Sequence, residues 1–124
     1  MLRLNLPTES YWVECPYGVR LLCRPLTTAM NAAAATRAAR RLREMDGLPI
    51  DADMMAGHRT LEVTVALAEI LVEAWDGVGN AEGTEAAPLT PDGLRAVLSV
   101  PEIARAFDAG VSAPLARMVA EGNG

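Results

Sequence analysis

From Leu61 to Trp75 the chain is apolar around nearly the whole circumference of a helix, and no other segment limits the fold as much. Leu61, Val65, Ala68, Val72 and Trp75 recur at intervals of four, three, four and three, and Val63, Leu67, Ile70 and Ala74 widen the stripe. Only Glu62, Glu69, Glu73 and Asp76 form a narrow polar edge. Such a helix needs apolar neighbours on several sides, so it belongs in the middle of a bundle. The pattern predicts it from near His58 to Trp75, after a loop over residues 47–57. Three glutamates inside the segment and its short length rule out a membrane span.

The neighbours can be read on either side. Near the N-terminus, Tyr11, Val13 and Cys15 alternate with Trp12 and Glu14, and Val19, Leu21 and Cys23 alternate with Arg20, Leu22 and Arg24. That is a β-hairpin, and its register follows from its faces. A three-residue loop at 16–18 sets Cys15 against Val19, Val13 against Leu21 and Tyr11 against Cys23, so one face is wholly apolar. A two-residue loop would oppose Glu14 to Leu21. The three-residue loop, with Gly18 in the left-handed conformation, is therefore expected. It keeps the two cysteines apart, and both are expected as reduced thiols of an intracellular protein. No secretory leader is legible, and Met1 to Leu6 would add a weak third strand.

After Pro25, Thr27 or Thr28 caps an alanine-rich helix to about Met45. Asp76 to Pro88, with three glycines, is expected to be a mobile loop. Thr90-Pro91 starts a short helix through Leu98, and Ser99-Val100-Pro101-Glu102 starts another through about Asp108. Gly110 would end that helix, and Ser112-Ala113-Pro114 would start a last one over Leu115 to Ala120. The expected fold is one mainly α domain with a small β-hairpin, an α+β chain built as a bundle of four to five helices. Its parts are a hairpin (1–25), a helical hairpin (27–76), a loop (77–89) and short C-terminal helices (90–121).

Chemistry is sparse. His58 is the one histidine and has no second metal ligand or nucleophile at a recognised spacing. Gly77-Val78-Gly79 follows a helix, whereas a dinucleotide loop follows a strand. The acids at 62, 69, 73 and 76 lie along the polar edge, as on a solvated or salt-bridged face, and not on an inward metal-binding face. No cofactor, metal or catalytic role is expected. All eleven basic residues are arginine and the net charge is −5, which disfavours a general nucleic-acid binder. Arg37, Arg40, Arg41 and Arg43 form one local cluster. It is read as a partner for the neighbouring acidic stripe or a solvated helix end, as a protein contact, or as a nucleic-acid patch.

One stretch is less anonymous. Val72-Glu73-Ala74-Trp75-Asp76-Gly77-Val78, a glycine-rich acidic loop, and Pro88-Leu89-Thr90-Pro91 opening two short helices together resemble the tail assembly chaperones of long-tailed bacteriophages and phage-derived gene transfer particles. Tyr11-Trp12, the hairpin, and Arg24-Pro25-Leu26-Thr27-Thr28 before an alanine-rich helix are similar to the same group. The resemblance implies a non-catalytic, cytoplasmic protein of the host cell that coats the tape-measure protein, helps recruit tail-tube subunits and is absent from the mature particle. Trp75, Asp76, Gly77, Val78, Arg37 and Arg41 are the candidate partner-binding residues. Trp75 either anchors a partner or plugs the base of the bundle, and the alanine-rich helix packs within the monomer or against a second copy. A permanent tail or head–tail joining protein and a small DNA-binding regulator are the competing readings.

Overall fold

The computed structural model describes the backbone of residues 6–123 and the side chains of residues 6–115. Two strands come first, β1 (Tyr11–Glu14) and β2 (Arg20–Cys23), joined through a single 3-10 turn at Pro16–Gly18. They pair antiparallel with Tyr11 opposite Cys23, Val13 opposite Leu21 and Glu14 opposite Arg20, as the apolar face requires. The Cys15 amide donates to the Val19 carbonyl at 2.8 Å, which closes the three-residue loop. Gly18 takes φ +74°, and Tyr17 is also left-handed at φ +64°, a conformation its sequence does not advertise. Cys15 and Cys23 are free.

Helix α1 (Thr28–Arg43) is capped by the Thr27 hydroxyl, which accepts from the Met30 amide at 3.2 Å. It packs on helix α2 (Ala52–Leu71) through Ala34 and Ala38, whereas Ala29, Ala32, Ala33, Ala35 and Ala39 face solvent. Two expectations about α2 need correction. It starts at Ala52, not near His58, because the Asp51 carboxylate caps it by accepting from the Met54 amide at 2.8 Å. Gly57 lies inside the helix with nothing near it, so it breaks nothing. The other end also differs. Val72–Asp76 does not continue the helix but forms strand β3, paired antiparallel with the open edge of β2. The sheet order is β1-β2-β3. A third strand at Met1–Leu6 falls, apart from Leu6, outside the described residues.

The β2–β3 register explains how a segment with helical spacing serves as a strand. Leu21 faces Trp75 and Leu22 faces Ala74, but Cys23 faces Val72, so Glu73 is an extra residue at a bulge. Without the bulge, Glu73 would stand opposite buried Cys23 on the apolar face. With it, Val72 turns inward, 8% exposed, and Glu73 turns out to accept from Arg24 Nε at 2.9 Å.

Helix α3 (Pro91–Leu98) starts where its cap predicts, with the Thr90 hydroxyl accepting from the Gly93 amide at 3.0 Å. Helix α4 (Pro101–Asn123) runs straight through the positions expected to split it. Pro114 has no N–H to give the Gly110 carbonyl, and the Tyr11 hydroxyl donates to that carbonyl instead at 3.3 Å. Gly110 is needed for a second reason, since a Cβ there would overlap the Val13 side chain. The core thus joins the sheet face (Val13, Leu21, Cys23) to Val65 and Leu71 of α2, Leu98 of α3, and Phe107 and Val111 of α4.

The close approach makes a prediction with a sign. In an open helix interior Gly→Ala stabilises by about 1 kcal/mol. Gly110→Ala is expected to destabilise by about 1–3 kcal/mol, because the helix must back away from β1. In a Val13→Ala background the same change should become neutral or stabilising. Urea titration of the four proteins gives the cycle, and equal costs in both backgrounds would show that Val13 does not select the glycine.

Candidate functional site

Trp75 is the centre of an apolar surface. It sits on β3 opposite Leu21, half-buried, and its indole N–H donates to the Ala87 carbonyl at 2.8 Å. Its Cη2 lies 2.9 Å from where a Cβ on Gly93 would be, so the ring reaches to the first turn of α3. The indole is held at both ends, and the surface beside it is pre-formed. Trp75, Val78, Pro88, Ala96, Val97 and Val100 line a shallow concavity of about 480 Å³.

The loop forming one wall is tied to itself. Gly79 bridges Ala86, Ala87 N–H donates to Val78 O at 2.8 Å, and Asn80 N–H donates to Glu85 O at 2.9 Å. The Asn80 side chain accepts from Thr84 N–H at 2.9 Å, and Gly83, at φ +70°, makes the tip. These bonds satisfy backbone groups that would otherwise need water or a partner.

The six candidate residues divide among different places. Trp75 and Val78 line the concavity. Asp76 lies opposite Arg20 in the sheet, with 3.8 Å between the charged groups. Gly77, at φ +80°, packs against the Gly18 backbone. Arg37 and Arg41 are not beside Trp75. Both turn to Glu69 of α2, Arg41 through two bonds of 2.6 and 3.0 Å and Arg37 at 3.7 Å. Of the readings open for the arginine cluster, pairing with the acidic stripe describes this pair, while Arg40 and Arg43 are exposed.

The polar edge of α2 is less solvated than its pattern suggests. Glu62 is 2% exposed and receives both terminal nitrogens of Arg95, at 2.5 and 2.9 Å. Those hydrogen bonds hold its carboxyl below the usual carboxylate range, against the burial that opposes ionisation. Burial pushes the Cys23 thiol up to about 12, with smaller contributions from Cys15 and Glu73, so it stays protonated at neutral pH. Among the described residues no group of three or more His, Cys, Asp and Glu side chains is placed to hold a metal ion, and no helix is long and apolar enough to cross a membrane.

Compared with family models, with curated proteins and with solved structures, the chain matches none. Its own geometry therefore has to carry any functional reading. Ala96, Val97, Val100 and Ile103 were not marked as site residues by sequence reasoning. A signal was there: α3 has Ala96 and Val97 beside its buried Leu94 and Leu98, more apolar surface than a two-turn helix needs for the core.

Proposed function

We propose that the chain is a non-catalytic assembly chaperone of a phage-type tail, binding the tape-measure protein while the tail is built and helping to recruit tail-tube subunits. One observation carries the reading. Four of the residues that carry the resemblance, Trp75, Val78, Pro88 and Thr90, meet around the apolar concavity, together with Ala96 and Val97 of α3. A rigid indole beside small apolar side chains is the kind of surface that accepts a partner's helix, since aromatic anchors dominate interface energetics. Three carboxylates of α2 and β3, Glu62, Glu69 and Glu73, are each engaged by arginine, as in structural ion pairs.

Co-expression with the tape-measure protein from the same gene cluster tests it. The expected result is co-purification, a several-fold larger soluble fraction of the tape-measure protein, and absence from finished particles. Retention in purified particles would instead make the chain a permanent tail or head–tail joining component. No interaction at all would remove the reading.

A further inference from the structure

The concavity beside Trp75 has a charge as well as a shape. Residues 75–103, which build it, contain five of the sixteen acidic residues, Asp76, Glu82, Glu85, Asp92 and Glu102, and one of the eleven arginines, Arg95. Four of the five net negative charges of the chain therefore sit in this segment. All five acids are exposed; Asp76 lies 3.8 Å from Arg20, Glu102 accepts from the Tyr17 hydroxyl at 2.8 Å, and Arg95, bonded to Glu62, also feels the charge of Asp92. Glu82, Asp92 and Glu102 each adjoin a residue that lines the concavity, and the Glu85 carbonyl bonds the lining Asn80. Among the described residues no arginine forms a salt bridge with Glu82, Glu85 or Asp92. The lining is uncharged and mostly apolar, with Asn80 and Thr90 its polar side chains, and the flanks are negative.

The backbone around the concavity narrows the kind of occupant. α3 and α4 use their amides internally, and the loop wall pairs Val78 with Ala87 and Asn80 with Glu85. Strand β3 is an outer strand of the sheet, but the α3, α4 and loop walls of the concavity present side chains, and recognition there runs through them. We infer that this concavity is a docking groove for an amphipathic helix whose apolar stripe is flanked by Lys or Arg. The inference rests on the client-binding reading above and names the chemistry of the client segment. The apolar stripe lies on Trp75, Ala96 and Val97, and the basic flanks lie against the carboxylates of the loop and of α3. Exposed carboxylates of one sign add to association rate and partner choice, and their effect weakens as salt rises.

Two synthetic helical peptides with the same leucine stripe, one flanked by lysine and one by glutamate, are titrated into the full chain carrying Trp12→Phe. Trp75 is then the only indole reporting. The lysine peptide is expected to shift the Trp75 emission and to bind at least ten-fold more tightly than the glutamate peptide at low salt. The preference should fall several-fold at 0.5 M salt. Glu82→Arg/Glu85→Arg, changes confined to the exposed loop, should cut the preference, and Ala96→Gln should weaken binding by filling the floor. Equal binding of the two peptides, or a preference indifferent to salt and to the loop reversal, would overturn the inference. Capture of the tape-measure protein with no peptide preference would leave the chaperone reading intact and remove this one. Tight, salt-sensitive peptide binding without tape-measure capture would do the reverse.

Discussion

Arg95→Met is expected to cost about 3 kcal/mol of folding stability at neutral pH, the low end for breaking a buried ion pair. Glu62 is almost wholly enclosed at 2% exposure, and the Arg95 fork supplies its two side-chain hydrogen bonds. Removing the guanidinium leaves a carboxylate in low dielectric without its partner. The low end applies because the Arg95 side chain is itself 38% exposed, so water screens part of the attraction. The effect depends on pH in a definite direction. In the wild type Arg95 depresses the Glu62 carboxyl, so the pair's contribution is complete above the ordinary glutamate value of about 4.3 and is lost as pH falls through the lower folded value. In the variant burial, which raises the carboxyl, is the largest remaining cause, opposed by the smaller lowering from Arg41 and His58, so the depression of Glu62 is relieved. The gap between the two proteins should therefore narrow steadily between neutral pH and about pH 4. Urea unfolding across that range measures it, and a gap constant with pH would mean that methionine disturbs packing and not charge. Glu62→Leu/Arg95→Met should recover most of the loss, because an apolar pair leaves no charge to solvate.

That ion pair shows where sequence reasoning stops. Glu62 lies on the polar edge of an amphipathic pattern, and the pattern alone cannot tell an edge that meets water from one that meets an arginine 33 positions away. The hairpin register was legible because only one pairing makes an apolar face, and the starts of α1 and α3 were legible because Thr27, Thr90 and Pro91 act locally. The end of α2 was not. Val72 and Trp75 continue the helical spacing, and Val72 to Asp76 also reads as a short strand. The unpaired edge of β2, a tertiary demand, decided between them. Continuity of α4 through Gly110 and Pro114 has the same origin, since β1 supplies both the hydroxyl and the close contact that make these two residues fit a helix. At the candidate site, Trp75 and Val78 are legible only through the resemblance carried by the Trp75-Asp76-Gly77-Val78 stretch, with Trp75 also an aromatic anchor. Ala96 and Val97 gained meaning only when the loop folded over against α3.

Gly77→Ala should cost about 3 kcal/mol, and most of that comes from one contact between two loops. Gly77 ends β3 with φ +80°, where an L side chain is strained by about 1–2 kcal/mol. A Cβ at this position would also run into the Gly18 carbonyl, so the hairpin loop and the end of β3 meet backbone to backbone. Relieving that overlap requires the sheet edge to move, a further cost of about 1–3 kcal/mol of the kind seen on overpacking. Gly18→Ala is the control. Gly18 is left-handed too, at φ +74°, but a Cβ there meets nothing within 4 Å, so it should lose only the conformational part, about 1 kcal/mol. The consequence extends to the concavity, because Gly77 fixes where β3 ends and hence where Trp75 lies between Leu21 and Gly93. In Gly77→Ala the Trp75 emission should shift in the folded protein and partner affinity should fall at least ten-fold, while Gly18→Ala leaves both near wild type. Paired urea melts and Trp75 fluorescence in the Trp12→Phe background decide the matter. Equal losses in the two variants would mean that backbone conformation alone selects glycine here and that the contact with Gly18 does not position the tryptophan.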